Sequence, residues 1–194
     1  RHHEIFVGSG GMVTIVGGKW TTYRRMAEET VDRAVREHGL TAPPSSTRAL
    51  QLHGWLAREE VERRRQREPG EEWALAYGAE QAAVQACLAE RPEWGRLMEP
   101  RLPYPLGLAV WAVRHEWALR VEDVLARRTR ALLLDARASM ECAERVAEVM
   151  ASELGRSRAW VADEVNAFVE LARGYLAASD RGRGAPRSAT GAAE

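Results

Sequence analysis

Two consecutive glycines, Gly17 and Gly18, join a short apolar run to a helical pattern, and this junction is the strongest constraint on the fold. The run from Met12 to Val16 is rich in β-branched residues, which favour strands. From about Thr21 onward, apolar residues recur every three or four positions, which predicts a helix that ends at Gly39. The first part of the chain is therefore predicted to be a strand, a glycine turn and a helix.

A second apolar run, Ile5 to Val7, precedes the first one, and the turn residues Gly8 to Gly11 separate the two. This order predicts a β-hairpin. A two-stranded ribbon with one helix is too small to fold by itself, so we expect residues 1–40 to be part of a larger domain. Position 1 is arginine rather than methionine, so we expect the chain to begin at a cut end.

The rest of the chain is predicted to be helical after a linker at residues 41–50 that contains prolines and serines. Helical periodicity, capping residues and glycine stops divide residues 51–178 into a bundle of helices. They are predicted at Trp55–Arg67, Glu71–Tyr77, Ala79–Glu90, Leu106–Trp117, Val121–Arg128, from Asp135 to Gly155 and from Ser157 onward. The tail, residues 179–194, has no periodicity and is expected to be disordered. The predicted fold class is α+β, a β-hairpin and helix followed by an all-α helical bundle domain.

Apolar positions on the predicted helices give candidate core residues. Trp111 and Trp117 fall in a helical stripe, and Tyr175 faces inward on the last helix, so all three are expected to be buried. Cys87 and Cys142 lie among apolar neighbours, which favours buried free thiols over a disulfide.

The charge balance argues against a nucleic-acid partner, because Lys+Arg and Asp+Glu both number 28 and no net field would attract a polyanion. No apolar run approaches the ~20 residues of a membrane span. We therefore expect a cytoplasmic protein, with peripheral attachment to the inner face of the cell membrane as the alternative. Lys19 is the only lysine, so arginine supplies the other 27 of the 28 basic residues.

The string from Gly17 to Arg24 is the segment most suited to binding a ligand. Two glycines let a backbone approach a flat ligand where a Cβ atom would clash. The following helix points free N–H groups and a partial positive charge toward such a ligand, and Lys19 adds a full positive charge. A tight turn before an ordinary helix would carry the same glycines, so the pattern alone leaves both interpretations open.

The same string resembles the GGKxTTYR signature of bacterial FAD-dependent glycerol-3-phosphate dehydrogenases. Downstream, Val113-Arg114-His115-Glu116 and the segment from Glu122 to Arg130 resemble the hallmark of that family's C-terminal helical domain. The resemblance runs in unbroken order from residue 1 to residue 175. It implies that residues 1–40 are a remnant of an FAD-binding domain and that residues 51–178 are the C-terminal helical domain.

The resemblance also implies a reaction and its site residues. The complete enzyme of that family oxidises sn-glycerol 3-phosphate to dihydroxyacetone phosphate, transfers a hydride to FAD and passes electrons to a quinone. Lys19 matches a lysine near flavin and substrate, and Arg1 matches an arginine that helps bind the substrate phosphate, for which a guanidinium fork is suited. The residues that match the loop beside the flavin ring are Gly17, Gly18, Lys19, Trp20 and Thr21.

The sequence lacks the rest of such an active site. No G-x-G-x-x-G dinucleotide fingerprint occurs, so we expect the N-terminal FAD domain to be a missing partner and the chain alone to be inactive. The alternatives are the C-terminal region of an α-glycerophosphate oxidase, which passes electrons to oxygen, and a helical interaction or homodimerisation module. Histidines such as His2, His3 and His115 lack further ligands at metal-binding spacing, so no metal site is predicted.

Two positions depart from the family pattern. Trp20 replaces a smaller apolar residue, which would alter packing against the flavin or the substrate. Arg120 stands where threonine usually caps a short helix in a Thr-x-x-Asp capping box, of which Asp123 remains. Because an arginine side chain cannot cap, the helix start is expected to lose about 1 kcal/mol.

Overall fold

The computed structural model describes residues 2–67 and 72–177 of the chain. Two compact units are present, Arg1–His53 and Gly54–Glu194. The fold class is α+β as predicted, since the first unit holds a β-hairpin and a helix and the second unit is helical. Arg1 and the predicted disordered tail lie outside the described residues. Across the described residues, no helix is both long enough and apolar enough to span a bilayer.

The hairpin of the first unit pairs strand β1 (His3–Val7) with strand β2 (Val13–Gly17) in antiparallel register. The Gly8 N–H donates to the Met12 carbonyl at 3.0 Å, which closes the turn. The predicted hairpin is confirmed, and β2 extends one residue further than predicted, to Gly17 at the glycine junction.

Helix α1 (Tyr23–Glu37) follows the hairpin after a single 3₁₀ turn at Trp20–Thr22. The chain leaves the helix at Gly39 as predicted, and this glycine has a left-handed φ of +60°. The Leu40 N–H then donates to the Val35 carbonyl at 2.9 Å, which satisfies one of the last carbonyls of the helix.

No described residue between positions 2 and 53 is buried. Apolar side chains of α1 face solvent, with Tyr23 51% and Val31 59% exposed. A hairpin and one helix offer too little apolar surface to enclose a core, and the same size limit underlies the expectation that they belong to a larger domain.

The second unit contains helices α2 to α8 and a π-helix. The helices lie, in order, at Arg58–Arg67, Glu72–Leu75, Gln81–Ala89, Gly107–His115, Ala131–Leu134, Ala136–Leu154 and Arg158–Arg173, with the π-helix at Asp123–Arg128 between α5 and α6. The predicted break at Gly78 is confirmed, because this glycine has a φ of +54° between α3 and α4.

The core of the second unit includes the region where α7 packs against α8 and α5. Small residues on α7, such as Ala147, let neighbouring helices approach closely, and the larger Met150 and Phe168 are buried in the same cluster. Cys87 and Cys142 are buried free thiols, as predicted.

Two predicted core residues are exposed, and these predictions were wrong. Trp117 is 85% exposed because α5 ends at His115 and the backbone turns, with a φ of +56° at Trp117, away from the apolar stripe. Tyr175 is 54% exposed because α8 ends at Arg173, so the helical phase that placed Tyr175 inward no longer applies. Trp111 is buried, as predicted.

A side chain from another helix binds the backbone at the start of the turn that follows Arg120. Glu164 of α8 is buried and accepts the backbone N–H of Val121 at 3.0 Å and the Nε–H of Arg120 at 3.1 Å. Asp123 accepts the backbone N–H groups of Leu119 and Arg120, both at 3.0 Å. These N–H groups at the helix start thus have acceptors other than an N-cap side chain, and the loss of about 1 kcal/mol stays a prediction.

We expect Glu164→Ala to lower the free energy of unfolding by about 1–3 kcal/mol, because it leaves the buried N–H of Val121 without an acceptor. Urea unfolding of the chain, followed by far-ultraviolet circular dichroism, measures this change. Glu170→Ala on the same helix is the control. The Glu170 side chain is 76% exposed and pairs with Arg173, so its loss should cost less than about 0.5 kcal/mol. Equal losses for the two variants would contradict the capping role of Glu164.

Gly78→Ala should strongly destabilise the second unit, since a Cβ atom at this position would lie 1.8 Å from the carbonyl oxygen of Gly54. Gly155 also has a left-handed φ, of +63°, but no atom lies within 4 Å of the place its Cβ would occupy. Gly155→Ala should therefore cost about 1 kcal/mol from backbone strain alone. In the same urea experiment, Gly78→Ala should unfold at a clearly lower concentration than Gly155→Ala, and coincident curves would refute the steric argument.

Candidate functional site

The two glycines of the junction adopt a backbone conformation that residues with a side chain disfavour. Gly17 and Gly18 have φ values of +82° and +81°, in the left-handed region that other residues rarely adopt. The Gly18 N–H donates to the His2 carbonyl at 3.3 Å, so the loop is hydrogen-bonded to the residue that precedes β1. The chain therefore passes from β2 into the 3₁₀ turn with its backbone close to the neighbouring strand.

A side chain at either glycine would collide with the chain itself. A Cβ atom on Gly17 would lie 2.7 Å from the His2 carbonyl oxygen, and one on Gly18 would lie 2.3 Å from the Met26 Sδ of α1. The fold alone thus accounts for both glycines, without any ligand. Gly17 is nevertheless exposed, so a ligand can reach its backbone from the solvent side.

Lys19 presents a positive charge beside this loop. Its backbone is extended, and the N–H and the hydroxyl of Thr22 both donate to the Lys19 carbonyl at 3.0 Å. The Lys19 side chain is exposed, and within the described part of the chain no carboxylate pairs with its ammonium. A free ammonium next to a helix start is suited to attract an anionic group.

Trp20 and Tyr23 form an exposed aromatic pair directly after Lys19. Their rings stack with centroids 5.4 Å apart, and Trp20 is 86% exposed. Thr21, between them, is exposed as well. Because Trp20 packs on Tyr23 rather than into a core, much of its large ring surface is free to contact a planar ligand.

Next to the loop, strand β1 and helix α1 are joined by a bond between His3 and Glu29. The His3 Nε2 and the Glu29 Oε2 lie 2.6 Å apart, and Arg25 donates to the other Glu29 oxygen at 2.5 Å. The hydrogen bond from Arg25, and after it that from His3, holds the pKa of Glu29 below its usual range. From the sequence alone, His3 is an ordinary histidine and Glu29 is one residue of a polar helix face. Nothing in their spacing indicates the hydrogen bond between them.

Of the predicted site residues, Gly17 to Thr21 form one continuous and mostly exposed segment at the start of α1. Arg1, the predicted phosphate ligand, lies outside the described residues. The binding roles of all these residues remain predictions.

The family-like string Val113–Glu116 has structural partners in the second unit. Arg114 binds two carboxylates, Glu90 at 2.8 Å and Glu153 at 2.7 Å, and thereby connects α5 to α7 and to the end of α4. Its guanidinium also lies over the Trp94 ring, 5.2 Å from the centroid. These contacts explain Arg114 as a packing residue.

The charged residues at the nearby π-helix are also paired. Arg127 donates to Glu122 at 2.5 Å and to Asp123 at 2.9 Å, while Arg128 donates to the Glu116 carbonyl. Burial raises the pKa of the Glu116 carboxyl, although the Arg128 charge acts in the opposite direction. Among the described residues, no group of three or more His, Cys, Asp or Glu side chains is arranged to hold a metal ion.

The loop in the first unit therefore combines three features that suit a planar anionic ligand. They are the exposed backbone of Gly17, an ammonium that pairs with no carboxylate among the described residues, and an exposed aromatic ring. A positive charge at a helix N-terminus stabilises negative charge on a bound group. These properties are those expected of a loop that faces a flavin ring.

Comparisons with known proteins match both units. Residues 11–161 match the model of a family described as the C-terminal domain of alpha-glycerophosphate oxidase, a range that includes the loop and most of the helical unit. The chain is 37% identical over 188 residues to a probable mitochondrial glycerol-3-phosphate dehydrogenase of Caenorhabditis elegans. It is 33% identical over 187 residues to the mitochondrial glycerol-3-phosphate dehydrogenase of Homo sapiens. Each alignment covers 91% of this chain and 25% of the relative.

A solved structure is similar as well. The glycerol-3-phosphate dehydrogenase from Bacillus halodurans, complexed with FAD, matches with a TM-score of 0.67 and 25% sequence identity. The likeness covers 88% of this chain and 37% of that chain. The chain thus spans about a quarter of the length of the curated relatives it matches.

Proposed function

The chain belongs to the family of the C-terminal domain of alpha-glycerophosphate oxidase, and from this we propose that it is the C-terminal portion of an FAD-dependent sn-glycerol-3-phosphate dehydrogenase. The parent enzyme oxidises the C2 alcohol of sn-glycerol 3-phosphate to the ketone of dihydroxyacetone phosphate. One observation carries the proposal. The family match runs through both the Gly17–Thr21 loop and the helical unit, and the relatives similar over 91% of this chain are glycerol-3-phosphate dehydrogenases by name.

The geometry of the loop fits FAD. The backbone of Gly17 is exposed, so a flat ring can lie against its solvent side, and the exposed Lys19 ammonium, which pairs with no carboxylate among the described residues, can meet a negative edge. When bound, FAD supplies the acceptor for the hydride removed from C2 of the substrate. The residues of this chain that hold it are Gly17, Gly18, Lys19, Trp20 and Thr21.

Lys19 and Arg1 have electrostatic roles in this proposal. The Lys19 ammonium favours negative charge on the flavin ring and binds oxygen atoms of the substrate. Arg1 binds the substrate phosphate, to which a guanidinium can donate two parallel hydrogen bonds. We assign the base that removes the C2 hydroxyl proton to the rest of the enzyme.

We divide the chain between two domains of the parent. Residues 1–40 complete the FAD-dependent oxidoreductase domain, residues 41–50 are a linker, residues 51–178 form the helical domain, and residues 179–194 are a tail. The absence of buried residues among those described between positions 2 and 53 supports the first assignment, because the remainder of an FAD domain would cover their apolar side chains. A groove of about 890 Å³ beside α1, lined in part by Val31 and Leu50, belongs to that uncovered surface.

The helical domain contributes contacts rather than catalytic groups in this proposal. Its partners are the FAD domain and a second copy in a homodimer. The pairing of Arg114 and Arg127 with carboxylates of their own unit supports this division, because those arginines are engaged in packing.

We assign a quinone as the electron acceptor of the parent, with a cytoplasmic location at the inner face of the cell membrane. The relatives are named dehydrogenases, which favours this assignment over oxygen. Transfer to oxygen is the second candidate, because the matching family model is described by alpha-glycerophosphate oxidase. Hydrogen peroxide formed in step with glycerol 3-phosphate consumption would favour the oxidase, whereas reduction of a quinone analogue without peroxide would favour the dehydrogenase.

Lys19→Met in the parent enzyme should lower kcat/KM for glycerol 3-phosphate by about 10- to 150-fold, which corresponds to the loss of one charged hydrogen bond of about 1.5–3 kcal/mol. The reduction potential of the bound flavin should also fall, because a positive charge that favours the reduced form is removed. Steady-state kinetics with a dye acceptor and a spectroelectrochemical titration measure the two effects.

The matched control is Arg36→Ala, which removes a positive charge from the exposed last turn of α1, away from the loop. This variant should leave kcat/KM and the potential unchanged. Lys19→Arg should retain part of the charge effect on the potential but lose the compact geometry of the ammonium. Wild-type kinetics and potential in Lys19→Met would remove Lys19 from the site while leaving the family assignment intact.

The 194-residue chain alone should purify without the visible absorption of a flavin and should not oxidise glycerol 3-phosphate. The loop contributes one edge of the FAD site, and the dinucleotide fingerprint that binds the pyrophosphate does not occur in this sequence. Absorption spectra of the purified chain, before and after incubation with FAD, test the first expectation, and a dye-coupled assay tests the second. A stoichiometric flavin spectrum with turnover would contradict the proposed division of the active site.

A further inference from the structure

The backbone at the two glycines of the loop does not by itself determine the direction of α1. Glycine has the widest conformational range of any residue, so Gly17 and Gly18 do not by themselves fix the angle at which α1 leaves the hairpin. That angle determines where Lys19 and the first turn of α1 point. The backbone bond from Gly18 to the His2 carbonyl constrains the junction itself, and side-chain contacts between the hairpin and α1 constrain the helix beyond it.

His3 is placed to provide such a contact close to the loop. It is the strand partner of Gly17 in the hairpin register, and its Cβ lies 3.5 Å from the place that a Cβ on Gly18 would occupy. Its Nε2 lies 2.6 Å from the Oε2 of Glu29, in the second turn of α1. Because an ionised carboxylate only accepts hydrogen bonds, the His3 N–H is the donor.

Glu29 is itself held in place for this bond. Arg25 donates to its Oε1 at 2.5 Å, one turn earlier on the same helix. The side chains of His3 and Glu29 are 18% and 36% exposed, so solvent screens their contact only in part. The bond therefore joins a strand residue fixed by hairpin pairing to a helix residue fixed by an ion pair.

A second histidine joins the same two elements at the other end of the helix. The His38 Nε2 lies 3.0 Å from the Gly11 carbonyl oxygen, in the hairpin turn. His38 directly follows the last residue of α1, whereas Lys19 lies before the 3₁₀ turn that leads into its first residue. The contact of His38 therefore holds the hairpin and the helix together without bordering the loop.

We propose that His3 is a positioning residue of the active site, which through its bond to Glu29 sets the orientation of Lys19 and of the Gly17–Gly18 backbone toward flavin and substrate. This inference rests on the proposed function of the loop. His3 has no contact with substrate or cofactor in this role, and it acts through the direction of α1.

The test compares His3→Leu, His3→Gln and His38→Leu in the FAD-loaded parent enzyme. His3→Leu removes the donor, His3→Gln retains an N–H at the end of a side chain of similar reach, and His38→Leu removes the remote contact. For each variant, kcat, KM, the flavin reduction potential and the melting temperature are measured. Glu29→Gln weakens the same bond from the acceptor side and takes the place of His3→Leu if that variant fails to fold or to load FAD.

We expect His3→Leu and Glu29→Gln to lower kcat/KM by about tenfold or more and to shift the flavin potential, since a displacement of about 1 Å in a positioning element is enough for such a loss. His3→Gln should recover kcat/KM to within about threefold of wild type, and His38→Leu should stay within about twofold. His38→Leu should also keep the wild-type potential, whatever its effect on the melting temperature.

The positioning role is overturned if His3→Leu, or Glu29→Gln in its place, keeps the wild-type potential and kcat/KM. It is also overturned if His38→Leu alters both quantities to the same extent, because a general loss of hairpin–helix packing would then explain the result. A wild-type parent that neither binds FAD nor oxidises glycerol 3-phosphate would refute the proposed function itself, and the role of His3 with it.

Discussion

The close approach of the loop backbone to strand β1 is the constraint on which the first unit depends. At Gly17 the chain passes so near the His2 carbonyl that no side chain fits, and Met26 closes the space beside Gly18. The chain then enters the 3₁₀ turn with Lys19 and Trp20 directed to solvent. The exposed charge and ring are therefore consequences of a backbone path that the hairpin and helix impose. A ligand that binds here meets a surface shaped mainly by the fold.

Features that depend on neighbours in the sequence could be predicted. The hairpin and the breaks at Gly39 and Gly78 follow from local backbone preferences, and Asp135 caps its own helix by accepting the N–H of Ala138 at 2.9 Å. The prediction for Trp117 was wrong because periodicity extends a helix beyond its end when no glycine or proline marks the stop. Local sequence patterns thus indicate where helices and strands can form, whereas tertiary packing determines where they end.

Contacts between residues distant in the sequence could not be predicted from spacing. His3 and Glu29 are 26 positions apart, and Val121 and Glu164 are 43 apart, so no periodicity connects either pair. The loop itself was found from its motif, but its glycines are equally those of a tight turn, and only the family resemblance favoured a flavin. The residues that orient a site are harder to find than those that line it, because the former act through tertiary contacts with no local signature.

The contact between Glu164 and the turn at Arg120 has a consequence for how this sequence can change over time. Glu164 accepts hydrogen bonds from the Arg120 side chain and the Val121 backbone, although it lies 44 positions from Arg120 on another helix. Substitutions at positions 120 and 164 are therefore coupled, since both side chains take part in the same set of hydrogen bonds. In an alignment, this dependence would be seen as covariation that records a physical contact rather than shared descent.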